Sequence, residues 1–180
     1  LHIRVAPLLS VLEEAAEPHL DRGKLVHFEE PPQQDPTLAV PEIQRRPEVI
    51  HGLRNLIQNA VDFARENVWI ESAWTDDTIT LRIMDDGRGY PPHLIGRIGD
   101  PFVSSRRTEK DRKQRPGYEG MGLGLFIAKT LLERSGAQLE FSNGTQKDLL
   151  RGAIVTSTWP RRKLEAKDEP VGENQQIKIG

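Results

Sequence analysis

Apolar residues recur with helical spacing in three segments of the chain. In residues 5–21 they return every fourth position and Gly23 follows, which predicts an amphipathic helix with a glycine stop. Residues 47–65 predict a second helix, because a first-turn proline is followed by a 3.6-residue apolar period. Residues 123–133 predict a third helix that stops near Gly136.

Segments rich in β-branched and aromatic residues predict the strands. They are residues 24–29, 68–74, 78–84, 138–142 and 153–159. Asp76-Asp77 separates the second and third of these segments and predicts a hairpin. Five prolines interrupt residues 31–47, so we expect little regular structure there beyond a buried edge segment.

The order of the elements is helix, strand, helix, hairpin, helix, then strands. Runs of strands with helices to one side predict an α+β fold, a two-layer α/β sandwich, rather than strict βαβ alternation. The 180 residues fit one domain, which we place at residues 23–160 after a leading helix in residues 1–22. The polar and charged residues 161–180 predict a disordered tail.

Composition excludes several function classes. A net charge of −2 gives no reason to expect nucleic acid or an anionic membrane as a partner. The absence of Cys excludes disulfides, zinc ribbons and thiol catalysis within these residues. No apolar run approaches the roughly 20 residues that cross a bilayer. Since Leu1 is not an initiator Met, we expect a piece of a longer protein.

Asn55 and Asn59 carry the first candidate chemistry. Four residues apart on the predicted helix, both amides project from one side of it. They could brace adjacent loops, or the Asn59 carbonyl oxygen could bind a hard cation such as Mg²⁺, which takes few protein ligands.

A glycine-rich turn follows the strand of residues 78–84. Gly87 and Gly89 allow a sharp turn and close approach to a flat ligand. Asp85 at the strand end could accept a hydrogen bond from an exocyclic amine such as adenine N6. A plain turn explains the same residues.

Three glycines open the predicted helix of residues 123–133. Gly120, Gly122 and Gly124 could leave backbone N–H groups free for an anion, aided by the helix dipole, or act as a hinge. The preceding residues 106–115 hold six basic and two acidic side chains and predict an exposed loop. That loop is either a solvated charge run or a mobile lid over polyphosphate.

The order and spacing of these motifs resemble the ATP-binding domain of sensor histidine kinases, within the superfamily of Hsp90, gyrase B and MutL. The matching segments are residues 55–59, 85–89, 101–106, 120–124 and Gly152-Ala153. The resemblance covers about residues 6–160, and residues 46–64 are similar to the RegB/PrrB subgroup of redox-responsive kinases. It implies a Bergerat-type (GHKL) sandwich whose mixed sheet packs on helices.

The resemblance also implies roles. Asn59 would bind Mg²⁺ and take part in catalysis with Arg106. Asp85 would recognise the adenine of ATP, and Gly87 and Gly89 would shape the adenine pocket. Phe102 would lie at the root of a lid formed by residues 100–120. The remaining implied nucleotide contacts are Asn55, Ser105, Arg107, Gly120, Gly122, Leu123 and Gly124.

One position separates kinases from ATPases in this superfamily. The ATPases place a water-activating Glu four residues before the Mg-binding Asn, where this chain has Asn55. An amide cannot act as a general base, so the residues favour phosphotransfer over hydrolysis. A chaperone- or topoisomerase-like ATPase domain and a nucleotide-free interaction module are the alternatives.

The chain departs from the family pattern at Asp62 and Gly99. Many histidine kinases have Lys or Arg at the position of Asp62, so we expect Asp62 to contact the ligand only indirectly while a lid cation substitutes. Gly99 stands where an aromatic residue is common and leaves the lid root less anchored.

No His-Glu or His-Asp dipeptide heads an amphipathic helix, so the phosphoacceptor histidine is expected outside these residues. The resemblance therefore implies as partners the dimerisation and phosphoacceptor domain of the same kinase and a cognate response regulator. It also implies a homodimeric parent and a cytoplasmic domain without direct membrane contact, the parent being anchored in a bacterial inner membrane. The helix of residues 1–22 would lead in from the dimerisation segment.

Overall fold

The computed structural model describes residues 4–100, 118–149 and 151–165, and only the backbone of residues 118–121. The strands in this part are β1 Val5–Pro7, β2 Leu25–Glu29, β3 Glu42–Gln44, β4 Asn67–Trp74, β5 Thr78–Asp85, β6 Gln138–Asn143 and β7 Ala153–Pro160. Its α-helices are α1 Leu8–Ala16, α2 Pro47–Phe63, α3 Tyr118–Arg134 and α4 Arg161–Leu164. Short 3₁₀ helices occupy Glu17–His19, Pro92–Arg97 and Gln146–Asp148.

Five strands form one mixed sheet in the order β2-β4-β5-β7-β6. The edge strand β2 runs parallel to β4, and the other three pairs are antiparallel. β1 and β3 form a separate antiparallel pair. The predicted α+β fold with a mixed sheet packed on helices is confirmed.

The core lies between this sheet and the helices. Along β4 and β5 buried residues alternate with partly exposed ones, as expected when one face of a sheet is covered. α2 packs against both α1 and α3. Where α2 meets α3, a Cβ added to Gly52 would lie 2.7 Å from the Leu132 side chain, so the glycine permits the close crossing.

The predicted helix of residues 5–21 is shorter in the structure. Residues 5–7 instead form β1, which pairs with β3. Strand β3 lies in the proline-rich stretch, where an edge segment was expected. At the other end the α-helix stops at Ala16. Pro18 cannot donate the backbone hydrogen bond of a continuing α-helix, and a 3₁₀ turn follows.

Two further boundaries differ from the prediction. α3 begins at Tyr118, five residues before the expected start, so the three glycines lie inside the helix. The prediction of a disordered tail from Arg161 is wrong for residues 161–164, which form α4. Leu164 is fully buried, so it packs this helix against the core although the composition of the segment is polar. Residues 166–180 lie outside the described part.

Candidate functional site

A polar stripe on α2 carries the two predicted asparagines. Asn55, Asn59 and Asp62 are spaced by four and three residues, so they lie within about 60° of one another around the helix. Asn59 is only 8% exposed. The Nδ2 atom of Asn55 is buried and has no hydrogen-bond partner among the described residues. An unpaired buried donor costs roughly 1–3 kcal/mol, so this amide is suited to an acceptor that arrives with a ligand.

Asp85 is the buried carboxylate of the candidate site. It ends β5 with 1% of its surface exposed. Its Oδ1 atom accepts hydrogen bonds from the backbone N–H of Gly87 at 2.8 Å and of Ala153 at 3.3 Å. Two donors on one oxygen fix the orientation of the carboxylate.

Glycines bring the turn after β5 against the end of α2. A Cβ added to Gly87 would overlap the carbonyl oxygen of Phe63, the last residue of α2. A Cβ added to Gly152 would overlap the carbonyl oxygen of Gly87. Only glycine fits at either position, and the packing brings the turn that follows Asp85 against the C-terminal end of α2.

Asn143 holds the next part of the turn. Gly89 has a φ of +80°, which favours glycine. The Oδ1 atom of Asn143 accepts the backbone N–H of Tyr90 at 2.6 Å, and its Nδ2 atom donates to the Tyr90 carbonyl oxygen at 2.8 Å. Asn143 was not predicted, because no local sequence pattern marks a contact 53 residues away.

Asp86 fastens the same turn to the connection between α2 and β4. Its carboxylate accepts backbone N–H groups of Arg65, Glu66 and Asn67 at 2.7–3.1 Å. Burial acts to raise the pKa of Asp86, but these hydrogen bonds outweigh it and the pKa lies below its ordinary value. The sequence patterns gave no role to Asp86, although it lies in the matching segment of residues 85–89.

Asp62 forms an ion pair instead of standing as a bare charge. Its Oδ1 atom lies 2.5 Å from Nη2 of Arg22, and both side chains are about two-fifths exposed. Arg22 also contacts Nδ1 of His19 at 3.2 Å. The pairing offsets the negative charge at the end of the α2 stripe, which agrees with an indirect role for Asp62.

The glycine motif of α3 is only partly described. Gly120, Gly122 and Gly124 lie in the first two turns, with Gly122 buried and Leu123 56% exposed. A Cβ on Gly124 would meet nothing within 4 Å. Because the helix begins at Tyr118, the backbone N–H groups of Gly122 and Gly124 lie within the helix and not ahead of it.

The rest of the predicted lid cannot be placed. Phe102, Ser105, Arg106 and Arg107 lie outside the described residues, as does the basic loop. At the lid root, Gly99 has a φ of +85°, and an added Cβ would overlap the Lys129 side chain. Gly99 is therefore constrained by its own backbone, although the family usually has an aromatic residue there.

The described residues contain no group of three His, Asp or Glu side chains that could hold a metal ion. Among the same residues, none of the helices has the length and apolar character of a membrane span.

A groove of about 640 Å³ lies elsewhere, between α3, β6 and the 3₁₀ helix Pro92–Arg97. Phe126, Leu139 and Phe141 are among its lining residues. It includes none of the predicted nucleotide contacts, although Gly99 and Asp100 at the start of the predicted lid line it.

The chain matches known proteins over most of its length. Residues 44–163 match the family described as histidine kinase-, DNA gyrase B-, and HSP90-like ATPase. The sensor histidine kinase RegB of Cereibacter sphaeroides is 59% identical over 97% of this chain and 39% of its own length. The histidine protein kinase SaeS of Staphylococcus epidermidis is 35% identical over 64% of this chain and 31% of its own length. The chain thus spans about two-fifths or less of these relatives.

Solved structures agree on the fold. The catalytic domain of histidine kinase ThkA has a TM-score of 0.64 at 18% identity, with 89% of this chain and 98% of that domain covered. The mycobacterial sensor histidine kinase MprB has a TM-score of 0.63 at 20% identity, with 87% and 95% covered. At these identities the likeness supports the architecture alone.

Proposed function

The chain belongs to the family of histidine kinase-, DNA gyrase B- and HSP90-like ATPases, and on that premise we propose that it is the ATP-binding catalytic domain of a sensor histidine kinase. It donates the γ-phosphate of ATP to a histidine outside these residues, for relay to a response regulator. The 59% identity to RegB supports the kinase branch of the family.

The observation that carries the proposal is the paired arrangement of Asp85 and the α2 amides. A carboxylate fixed through Oδ1 is oriented to accept an exocyclic amine, as adenine recognition requires. The buried, unpaired Nδ2 of Asn55 offers a donor to a phosphate oxygen or to a metal-bound water. Glycines at positions 87 and 152 let the backbone segments around Asp85 pack closely together.

These residues fit a magnesium nucleotide. In our proposal the Asn59 carbonyl oxygen binds Mg²⁺, while Asn55, Gly87, Gly89, Gly120, Gly122, Leu123 and Gly124 contact the nucleotide. Phe102, Ser105, Arg106 and Arg107 complete the site from the lid. The metal, when bound, neutralises charge that develops on the transferred phosphoryl group.

The residues of this chain position the nucleotide and do not activate a water molecule for its hydrolysis. Asn55 occupies the place of the general base in the ATPases of the family, and its amide cannot abstract a proton. The nucleotide is thereby kept for an incoming histidine. The phosphoacceptor partner, the homodimer, the cytoplasmic location and the membrane anchor of the parent stay predictions.

A turnover measurement tests the proposal. With Mg-ATP, this chain should bind nucleotide, release inorganic phosphate slowly and acquire no label from [γ-³²P]ATP. Rapid phosphate release would indicate an ATPase domain, and label on the chain itself would contradict the placement of the phosphoacceptor outside it. Asn55→Glu is the matched variant, and it should raise phosphate release if this position decides between the two chemistries.

A further inference from the structure

A small apolar cluster lies on the face of the sheet opposite to the helices. Met84 and Ile154 are each 1% exposed and are neighbours across β5 and β7. Along β5 and β7 they alternate with residues of the main core but do not belong to it themselves. Their side chains therefore point to the opposite face of the sheet. Trp69 on β4 is the neighbour of Met84. The cluster therefore backs the end of β5 that carries Asp85.

Arg151 covers this cluster. Its guanidinium lies 4.0 Å from the ring centroid of Trp69, a distance typical of a cation–π contact. Its Nη1 atom lies 3.2 Å from Oε1 of Glu29 and 3.4 Å from Sδ of Met84, and the side chain is only 14% exposed. Nε is buried without a hydrogen-bond partner among the described residues. Stacking and one ion pair thus hold the side chain in place.

The backbone of Arg151 is held just as closely. Its N–H donates to the carbonyl oxygen of Asp148 at 3.1 Å, and the Asp148 carboxylate binds Nη2 of Arg82 at 2.6 Å. A Cβ on Gly144 would overlap the carbonyl oxygen of Arg151. The N–H of Gly144 donates to the carbonyl oxygen of Gly152 at 2.9 Å. The segment before β7 is therefore fastened on one face of the sheet.

The two residues after Arg151 contact Asp85. Gly152 donates its N–H to the Asp85 carbonyl oxygen at 2.8 Å, and Ala153 donates to Oδ1 at 3.3 Å. We propose that Arg151 is a positioning residue, which anchors Gly152 and Ala153 from the open face of the sheet and so fixes the carboxylate of Asp85. The proposal deepens the proposed function and rests on it.

The effect should be confined to base recognition. The Arg151 guanidinium lies on the face of the sheet opposite to the main core that α2 covers, so its loss should loosen the Asp85 carboxylate and leave the proposed metal and phosphate contacts in place. A misaligned charge-assisted hydrogen bond weakens binding by about ten-fold.

The test compares Arg151→Ala with a matched variant, Arg161→Ala. Arg161 pairs Nε with Oε1 of Glu165 at 2.9 Å and is 18% exposed, but it follows the far end of β7, roughly 25 Å away. In calorimetric titrations, Arg151→Ala should weaken ADP binding about ten-fold and reduce the preference for ADP over GDP. Arg161→Ala should leave both unchanged. A general loss of structure would not lower the base preference selectively.

Arg151→Lys provides the second variant, because it keeps the charge and reach of the side chain. An ADP preference below that of the unsubstituted chain, with faster amide hydrogen exchange at Ala153 than in Arg161→Ala, supports the proposal, and values equal to those of Arg161→Ala contradict it. If Arg151→Ala does not fold, these Arg151→Lys measurements decide.

Unchanged ADP preference in a folded Arg151→Ala variant overturns the proposal and leaves the function intact. If the unsubstituted chain binds no ADP, the function itself falls. Hydrogen exchange at Gly152 and Ala153 then tests the positioning role by itself. Exchange rates in Arg151→Ala that equal those in Arg161→Ala contradict that role.

Discussion

Asp85 and Asp86 are adjacent carboxylates with different tasks. Asp85 is almost fully buried, with Oδ1 held by two backbone N–H groups. Asp86 is turned the other way and accepts the N–H groups that follow α2. In our proposal Asp85 binds the adenine, and Asp86 holds the turn that positions Asp85.

Asp85→Asn should lower the preference for adenine over guanine. The amide keeps the size of the side chain, but it loses the charge and replaces one acceptor oxygen with a donor. We expect ADP affinity to fall about ten-fold or more, while GDP affinity changes little. Calorimetry with both nucleotides measures the ratio, and an unaltered ratio would remove Asp85 from base recognition.

Asp86 should make the fold acid-sensitive. Because its folded-state pKa lies below its ordinary value, ionised Asp86 stabilises the fold fully above the unfolded-state pKa of about 3.9. That contribution is lost as the pH falls through the folded-state pKa. Urea unfolding from pH 7 to pH 3 should show wild type more stable than Asp86→Asn at neutral pH, with the gap closing in acid.

Asp76→Asn is the control for this comparison, since Asp76 is an exposed residue of the β4–β5 hairpin turn. It should track wild type at every pH. A gap between wild type and Asp86→Asn that stayed constant from pH 7 to pH 3 would mean that ionisation of Asp86 does not stabilise the turn.

At the level of elements, two glycines in helices have opposite surroundings. Gly52 lies at the crossing of α2 with α3, and a Cβ added to it would lie 2.7 Å from the Leu132 side chain. A Cβ added to Gly124 would meet no atom within 4 Å. Alanine is favoured over glycine in a helix by about 1 kcal/mol. Overpacking costs about 1–3 kcal/mol. The two effects compete at Gly52 and do not at Gly124.

Gly52→Ala should therefore lower the thermal midpoint, and Gly124→Ala should raise it by a few degrees. Scanning calorimetry of both variants without nucleotide measures the difference. A rise in both midpoints would show that α2 and α3 can separate slightly without cost, and a fall in both would place Gly124 in a backbone conformation closed to alanine.

Local sequence patterns predicted those elements in which buried residues recur at regular intervals. The bounds of α2, β4 and β5 agree with the prediction to within two residues, because one buried face runs through each of them. The start of α3 was missed, since glycines oppose helix in isolation and tertiary packing of residues such as Leu125 overrides them.

Sequence patterns yielded candidate site residues only where these form motifs. Asn55, Asn59 and Asp85 were predicted from spacing and resemblance, and their roles stay predictions. The supports of the site were not, because Asn143 and Arg151 act on residues more than 50 positions away. Such contacts follow from strand order, which no local pattern specifies.

At the scale of the whole molecule, we propose that magnesium links α2 to the nucleotide. The mixed sheet fixes Asp85 and the helical layer fixes Asn59, so a nucleotide that spans both layers contacts each through a different group. Removing Asn59 should therefore abolish the metal dependence of binding without abolishing adenine recognition.

Isothermal titration of ATP and ADP, with and without Mg²⁺, is the most direct measurement. Wild type and Gln58→Ala, an exposed neighbour on α2, should bind both nucleotides more tightly with Mg²⁺, whereas Asn59→Ala should bind them weakly and equally with or without the metal. Equal enhancement by Mg²⁺ in Asn59→Ala, or no nucleotide binding by wild type, would contradict the account.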